Sequence, residues 1–122
     1  MTVRCLIVDD NREFLEAARR LLETEGITVV GIATNGAEAR RRVGELRPDV
    51  VLVDVNLGKE NGFDVARNLE AATQAPASRV ILISTYSEQD LVDPAPAGGG
   101  LPFLSKTNLS AAAIRALLSC DA

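Results

Sequence analysis

Asp9 and Asp10 form a pair of adjacent carboxylates directly after the apolar run Leu6-Ile7-Val8. A third carboxylate, Asp54, ends the run Val50-Val51-Leu52-Val53, Ser84 and Thr85 follow Val80-Ile81-Leu82-Ile83, and Lys106 closes the stretch Pro102-Phe103-Leu104-Ser105. Like charges side by side at the mouth of a buried strand repel each other, and desolvation adds to the cost. A compensating charge is therefore expected. Three carboxylates with no His or Cys beside them suit a hard, oxygen-liganded cation such as Mg2+, which keeps waters and takes one or two carboxylates together with a phosphoryl oxygen. A lysine adds a compact positive charge for an anionic oxygen, and the Ser84 hydroxyl adds a donor for the same anion. Around a carboxylate nucleophile, this set favours phosphoryl transfer onto the carboxylate. Taken singly, each residue is commonplace. A strand-end Asp is usually a turn or cap residue, a lone Lys is usually solvated, and a Ser-Thr pair usually caps a helix. Their joint placement at four strand ends is what raises them above that background.

The elements that must position these residues alternate along the chain. Buried strands are expected at Val3-Val8, Ile27-Ala33, Val50-Val53 and Arg79-Ser84, with a shorter one at Pro102-Ser105. Between them run helical patterns. Asn11 caps the first, in which Phe14, Ala17, Ala18, Leu21 and Leu22 recur at helical spacing, and Gly26 ends it. Asn35 caps the second, which stops before Pro48. Asn61 or Gly62 opens the third, and Ser110 caps the last. The βαβ alternation with short links predicts a parallel sheet with helices on both faces. In such sheets, sites form outside the carboxyl ends of the strands. No repeat or linker divides residues 1–122, which predicts a single domain. The irregular point is "DPAPAGGGLP" at 93–102, where a fourth helix is due. Three prolines and three consecutive glycines oppose it, so only one or two turns are expected around Ser87-Leu91 and the fourth helix is expected to be short, irregular or mobile.

Composition narrows the possible functions. Of 122 residues, 47% are apolar and only 3% aromatic, so the core must be built from Val, Ile, Leu and Ala. A net charge of −4 argues against a nucleic-acid-binding face. The absence of His removes it as metal ligand, general base or phosphoryl carrier. Cys5 and Cys120 form no Cys-x-x-Cys pair and read as ordinary reduced thiols. No apolar stretch approaches the roughly 20 residues that span a bilayer, and no signal-peptide core precedes Asp9. A cytoplasmic protein is expected.

"LIVDDNREF", "DVVLVDVNLGKENGFDV", "VILIST" and "PFLSK" together resemble the receiver domain of two-component response regulators, over nearly the whole chain. The spacings between these motifs match the family as well. The resemblance implies a flavodoxin-like, doubly wound five-stranded parallel sheet of order 2-1-3-4-5 with five helices. It implies that Asp54 accepts a phosphoryl group from a sensor histidine kinase or a phosphotransfer protein. Mg2+ would be held by Asp10 and Asp54 directly, by Asp9 through water, and by the backbone carbonyl of Asn56. Ser84 matches the hydroxyl that moves toward the phosphoryl group, Lys106 the lysine that pairs with it, and Phe103 the aromatic switch that turns inward. Gly62 matches the glycine opening the third helix. There are departures: Thr107 stands where many members carry a proline in an often cis linkage, and Thr85 where a small residue is common. Tyr86 and Asn56 occupy positions that tune dephosphorylation.

Output would be a changed surface, read by a downstream protein or by an effector domain in a longer regulator. The fourth-helix face through which many receivers pair carries the Pro/Gly stretch, which leaves a homodimer open. Two other readings are disfavoured. A Mg2+-dependent phosphatase would place a second carboxylate where Asn56 stands, and a degenerate receiver that only binds partners would lack some of the positions filled here. No multiple-turnover enzyme is expected.

Overall fold

A computed structural model of the chain describes residues 3–72, 79–84, 103–106 and 109–119. In chain order the elements are β1 (Arg4–Val8), α1 (Arg12–Thr24), β2 (Thr28–Ala33), α2 (Gly36–Leu46), β3 (Val50–Asp54), β4 (Asn56–Leu57), β5 (Glu60–Asn61), α3 (Gly62–Ala72), β6 (Arg79–Ser84), β7 (Phe103–Ser105) and α4 (Ala111–Ser119). Five strands form one parallel sheet in the order β2-β1-β3-β6-β7. Setting aside the β4–β5 hairpin, this is the expected 2-1-3-4-5 arrangement. The hairpin itself was not foreseen. The expected fourth helix, Thr85, Tyr86, the 93–102 stretch, the Lys106–Thr107 bond and Cys120 lie outside the described residues.

Strand periodicity splits the core into two layers. Successive side chains of a strand point to opposite faces. Ile7, Leu52, Ile81 and Ile83 pack with Leu15 and Leu22 of α1 and Ile114 of α4. Their neighbours Leu6, Val8, Val51, Val53 and Leu82 pack with Val43 of α2 and Val65 and Leu69 of α3. Helices on both faces explain why β1, β3 and β6 read as nearly unbroken apolar runs. Cys5 lies in the first of these layers, fully buried, and burial pushes its thiol up to about 12. The thiolate is the reactive form, so Cys5 in the native protein should resist iodoacetamide at mildly alkaline pH. Labelling of Cys5 before unfolding, seen by peptide mapping, would contradict this packing.

The caps fall where side-chain chemistry places them. Asn11 Oδ1 accepts from the backbone N–H groups of Glu13 (3.0 Å) and Phe14 (3.2 Å). Asn35 Oδ1 accepts from Glu38 N–H at 2.8 Å, and Ser110 Oγ from Ala113 N–H at 3.0 Å. At the start of α3, Asn61 Oδ1 accepts from Phe63 N–H at 2.9 Å. Gly62 does a different job. Its N–H donates to Val55 O at 2.9 Å, and a Cβ here would overlap the Asp54 carbonyl oxygen and the Val55 backbone. α3 can approach the end of β3 only because that atom is missing. Gly62→Ala should therefore cost about 2–4 kcal/mol, as backbone must move on both sides of the contact. Urea denaturation measures it, and a loss within about 0.5 kcal/mol, the usual scale of a surface substitution, would count against the close approach.

Candidate functional site

β1 and β3 are sheet neighbours, with Val8 paired to Val53. The residues that follow these two positions, Asp9 and Asp54, therefore emerge side by side. One carboxylate oxygen each from Asp9, Asp10 and Asp54 lies within 4.8 Å of the others. The two members of the adjacent pair are not equivalent. Asp10 is exposed. Asp9, at the mouth of the same strand, is 0% exposed. The ladder runs one residue beyond β1, since Asp9 N–H donates to Ala33 O at 3.0 Å, and this carries the Asp9 side chain inward.

What makes a buried Asp9 tolerable is a positive charge supplied by the protein itself. Lys106 Nζ lies 2.6 Å from Asp9 Oδ2 and 3.3 Å from Asp54 Oδ2. Asp9 Oδ1 accepts from Asn11 N–H at 2.8 Å. The Lys106–Asp9 contact is an ion pair without hydrogen-bond geometry, and Oδ2 is left as a buried oxygen with no hydrogen-bond partner among the described residues. The ammonium also sits 4.1 Å from the centroid of the Phe14 ring, a distance at which the ring face attracts a cation. The sequence marked Phe14 only as an apolar helix position. Its place beneath Lys106 depends on α1 packing under the end of β7.

Asp54 is 6% exposed. Burial and the nearby Asp9 charge push its carboxyl up to about 6, against the opposing pull of the Asn56 N–H and Lys106. Asn56 N–H donates to Asp54 Oδ1 at 3.2 Å. On the next strand Ile83 pairs with Asp54 and its carbonyl accepts from Val55 N–H at 2.9 Å. Ser84 follows it, buried and paired to Ser105, the residue before Lys106. The structure thus brings Asp9, Asp10, Asp54 and Lys106 together and sets Ser84 beside them. Phe103 is half-buried and packs against the α2–α3 layer of the core, two residues before Ser105 on the same strand.

The donor set fits a divalent cation. All three side chains offer hard oxygens, and one from each lies within 4.8 Å of the others. Gly58, at φ 65, belongs to the same site: a Cβ there would stand 3.1 Å from Asp10 Oδ2. Neither Gly58 nor the hairpin it turns carried a signal in the sequence.

Comparison with known proteins gives a consistent picture. Residues 5–118 match the family described as the response regulator receiver domain. The chain is 32% identical over 106 residues to the chemotaxis protein CheY of Thermotoga maritima, covering 87% of each chain. It is 36% identical over 88 residues to a protein-glutamate methylesterase/protein-glutamine glutaminase of Myxococcus xanthus, covering 71% of this chain but 25% of that one. The chain thus spans about a quarter of the length of such relatives. Among solved structures it is similar to the signal receiver domain of a NarL regulator from Mycobacterium tuberculosis, with TM-score 0.78 and 32% identity over 98% of this chain and 95% of that one. It is also similar to a response regulator protein from Burkholderia pseudomallei solved with a phosphorylated aspartic acid, a calcium ion and citrate. There the TM-score is 0.79 and the identity 25%, over 98% of this chain and 68% of that one.

Proposed function

The chain belongs to the response regulator receiver domain family of two-component signalling, and from that premise we propose that Asp54 is its phosphoryl acceptor, with Mg2+ held by Asp9, Asp10, Asp54 and the Asn56 carbonyl. The observation that carries this is the gathering of three carboxylates, Asp54 among them, and one lysine at a single sheet edge. Asp10 and Asp54 are the direct ligands. Asp9 acts through water, because Asn11 and Lys106 already occupy its two oxygens.

The chemistry follows from the charges. An Asp54 carboxyl at about 6 is about nine-tenths ionised at neutral pH, and more basic than an ordinary aspartate. One of its oxygens attacks phosphorus, and a new P–O bond forms. In a phosphohistidine donor the P–N bond breaks and the imidazole leaves with the electron pair, then takes up a proton. When bound, Mg2+ supplies charge neutralisation for the phosphoryl oxygens. Lys106, 3.3 Å from the acceptor, transfers its ammonium from Asp54 to a phosphoryl oxygen. Ser84 donates to another, and Phe103 turns inward as that hydroxyl shifts.

The phosphoryl donor is a sensor histidine kinase or a phosphotransfer protein. The reader is a downstream protein or an effector domain of a longer regulator. None of the described helices is long and apolar enough to cross a membrane, and the module is assigned to the cytoplasm with its kinase.

Incubation with acetyl phosphate and Mg2+ followed by intact mass should show one phosphoryl adduct. The adduct should vanish with EDTA and in Asp54→Ala. An undiminished adduct in that variant, or none on the wild type, would overturn the assignment.

A further inference from the structure

The β4–β5 hairpin links the acid cluster to α2, and Glu60 is where it grips the helix. Glu60 Oε1 accepts from the backbone N–H of Gly36 at 2.8 Å. Gly36 is the first residue of α2, so this N–H has no partner within the helix. A carboxylate at that end gains both a charge-assisted hydrogen bond and the helix dipole. Asn35 already takes the Glu38 N–H, and two elements therefore divide the first turn between them. The fit depends on Gly36 having no side chain, since a Cβ there would stand 2.7 Å from Glu60 Oε2.

At its other end the hairpin meets the site. Glu60 pairs with Leu57, and Asn61 with Asn56. Asn56 N–H reaches Asp54, and Gly58 passes close to Asp10. Two strands of two residues each have little stability of their own. What the hairpin holds at its ends decides where it sits. Gly62 N–H to Val55 O fixes its base, and Glu60 fixes its flank.

We propose that Glu60 is a positioning residue for the metal site: its hold on the α2 N-terminus sets the Asn56 carbonyl and the Gly58 turn against Asp10 and Asp54. This rests on the Mg2+ reading above. Calorimetric titration with MgCl2 tests it on the wild type, Glu60→Ala, Glu60→Gln and Gly36→Ala, with urea denaturation reporting that each is folded. Glu60→Ala should bind Mg2+ about three- to ten-fold more weakly, on the scale of outer-shell substitutions. Glu60→Gln keeps the Oε1 acceptor and should retain most of the affinity. Gly36→Ala favours the helix itself but displaces the carboxylate, and should weaken binding as Glu60→Ala does. Wild-type affinity in Glu60→Ala would overturn the proposal. So would equal weakening in Glu60→Gln, which would assign the loss to long-range charge. A wild type that binds no Mg2+ overturns the metal reading and this role together, whereas either result above overturns only the role of Glu60.

Discussion

Lys106→Met should destabilise the metal-free protein at neutral pH by about 2–4 kcal/mol, close to the cost of orphaning one partner of a buried ion pair. Lys106 Nζ sits 2.6 Å from a fully buried Asp9 and 3.3 Å from a nearly buried Asp54. Methionine retains most of the apolar stem but removes the ammonium, and with it the cation's contact with the Phe14 ring. Two carboxylates in low dielectric then face each other with no cation between them. The penalty belongs mainly to Asp9, so the double variant Asp9→Asn/Lys106→Met should recover most of the loss, and the two substitutions should be strongly non-additive. Mg2+ should also narrow the gap between Lys106→Met and the wild type, by supplying the missing positive charge. Urea midpoints in EDTA and in Mg2+ measure both effects. A loss in EDTA below about 1 kcal/mol would place this pair among exposed ion pairs of little worth and contradict a buried charge at Asp9.

Those same residues show where sequence reading succeeds and where it stops. Asn11, Asn35 and Ser110 cap α1, α2 and α4 as expected, because capping is a local matter between a side chain and the next two or three backbone N–H groups. That the sheet is parallel was legible from apolar runs alternating with helical patterns, whereas its strand order came only with the resemblance to the receiver domain. The convergence of Asp9, Asp10, Asp54 and Lys106 followed from placing each at a strand end. Which of two adjacent aspartates turns inward did not follow. That depends on a single ladder hydrogen bond from Asp9 to Ala33, beyond the last apolar residue. The hairpin was invisible because strands of two residues carry no periodicity, and its turn depends on Gly58 at positive φ rather than on a familiar turn dipeptide. Glu60 and Phe14 acquire their roles from partners 24 residues away in one case and across the sheet edge in the other. No local pattern encodes such contacts.

Asp54→Asn, which removes the proposed acceptor, should make the metal-free protein more stable at neutral pH by about 1–2 kcal/mol. The wild-type carboxyl is raised to about 6 by burial and by Asp9, against roughly 3.9 in an unfolded chain. Between about pH 4 and 6 the folded state therefore binds more protons than the unfolded state, and this group's contribution is lost as pH rises through the window. A rise of that size, taken alone, would correspond to about 3 kcal/mol, and the smaller figure allows for Lys106 and solvent sharing the charge. Asparagine carries no charge to desolvate and still offers an oxygen to the Asn56 N–H. Other carboxylates titrate in the same range, so the informative quantity is the difference between variant and wild type. It should grow from near zero at about pH 4 to its full value by about pH 7 in urea denaturations with EDTA. A variant less stable than the wild type at neutral pH would show that Lys106 outweighs burial and Asp9. Mg2+ should reverse the order, since at roughly 100-fold excess over its dissociation constant it returns about 2.7 kcal/mol to a protein that binds it, and the variant has lost a proposed ligand. The instability of metal-free Asp54 is thus concentrated on the atoms proposed to accept the phosphoryl group, which is where a trade of stability for function is expected.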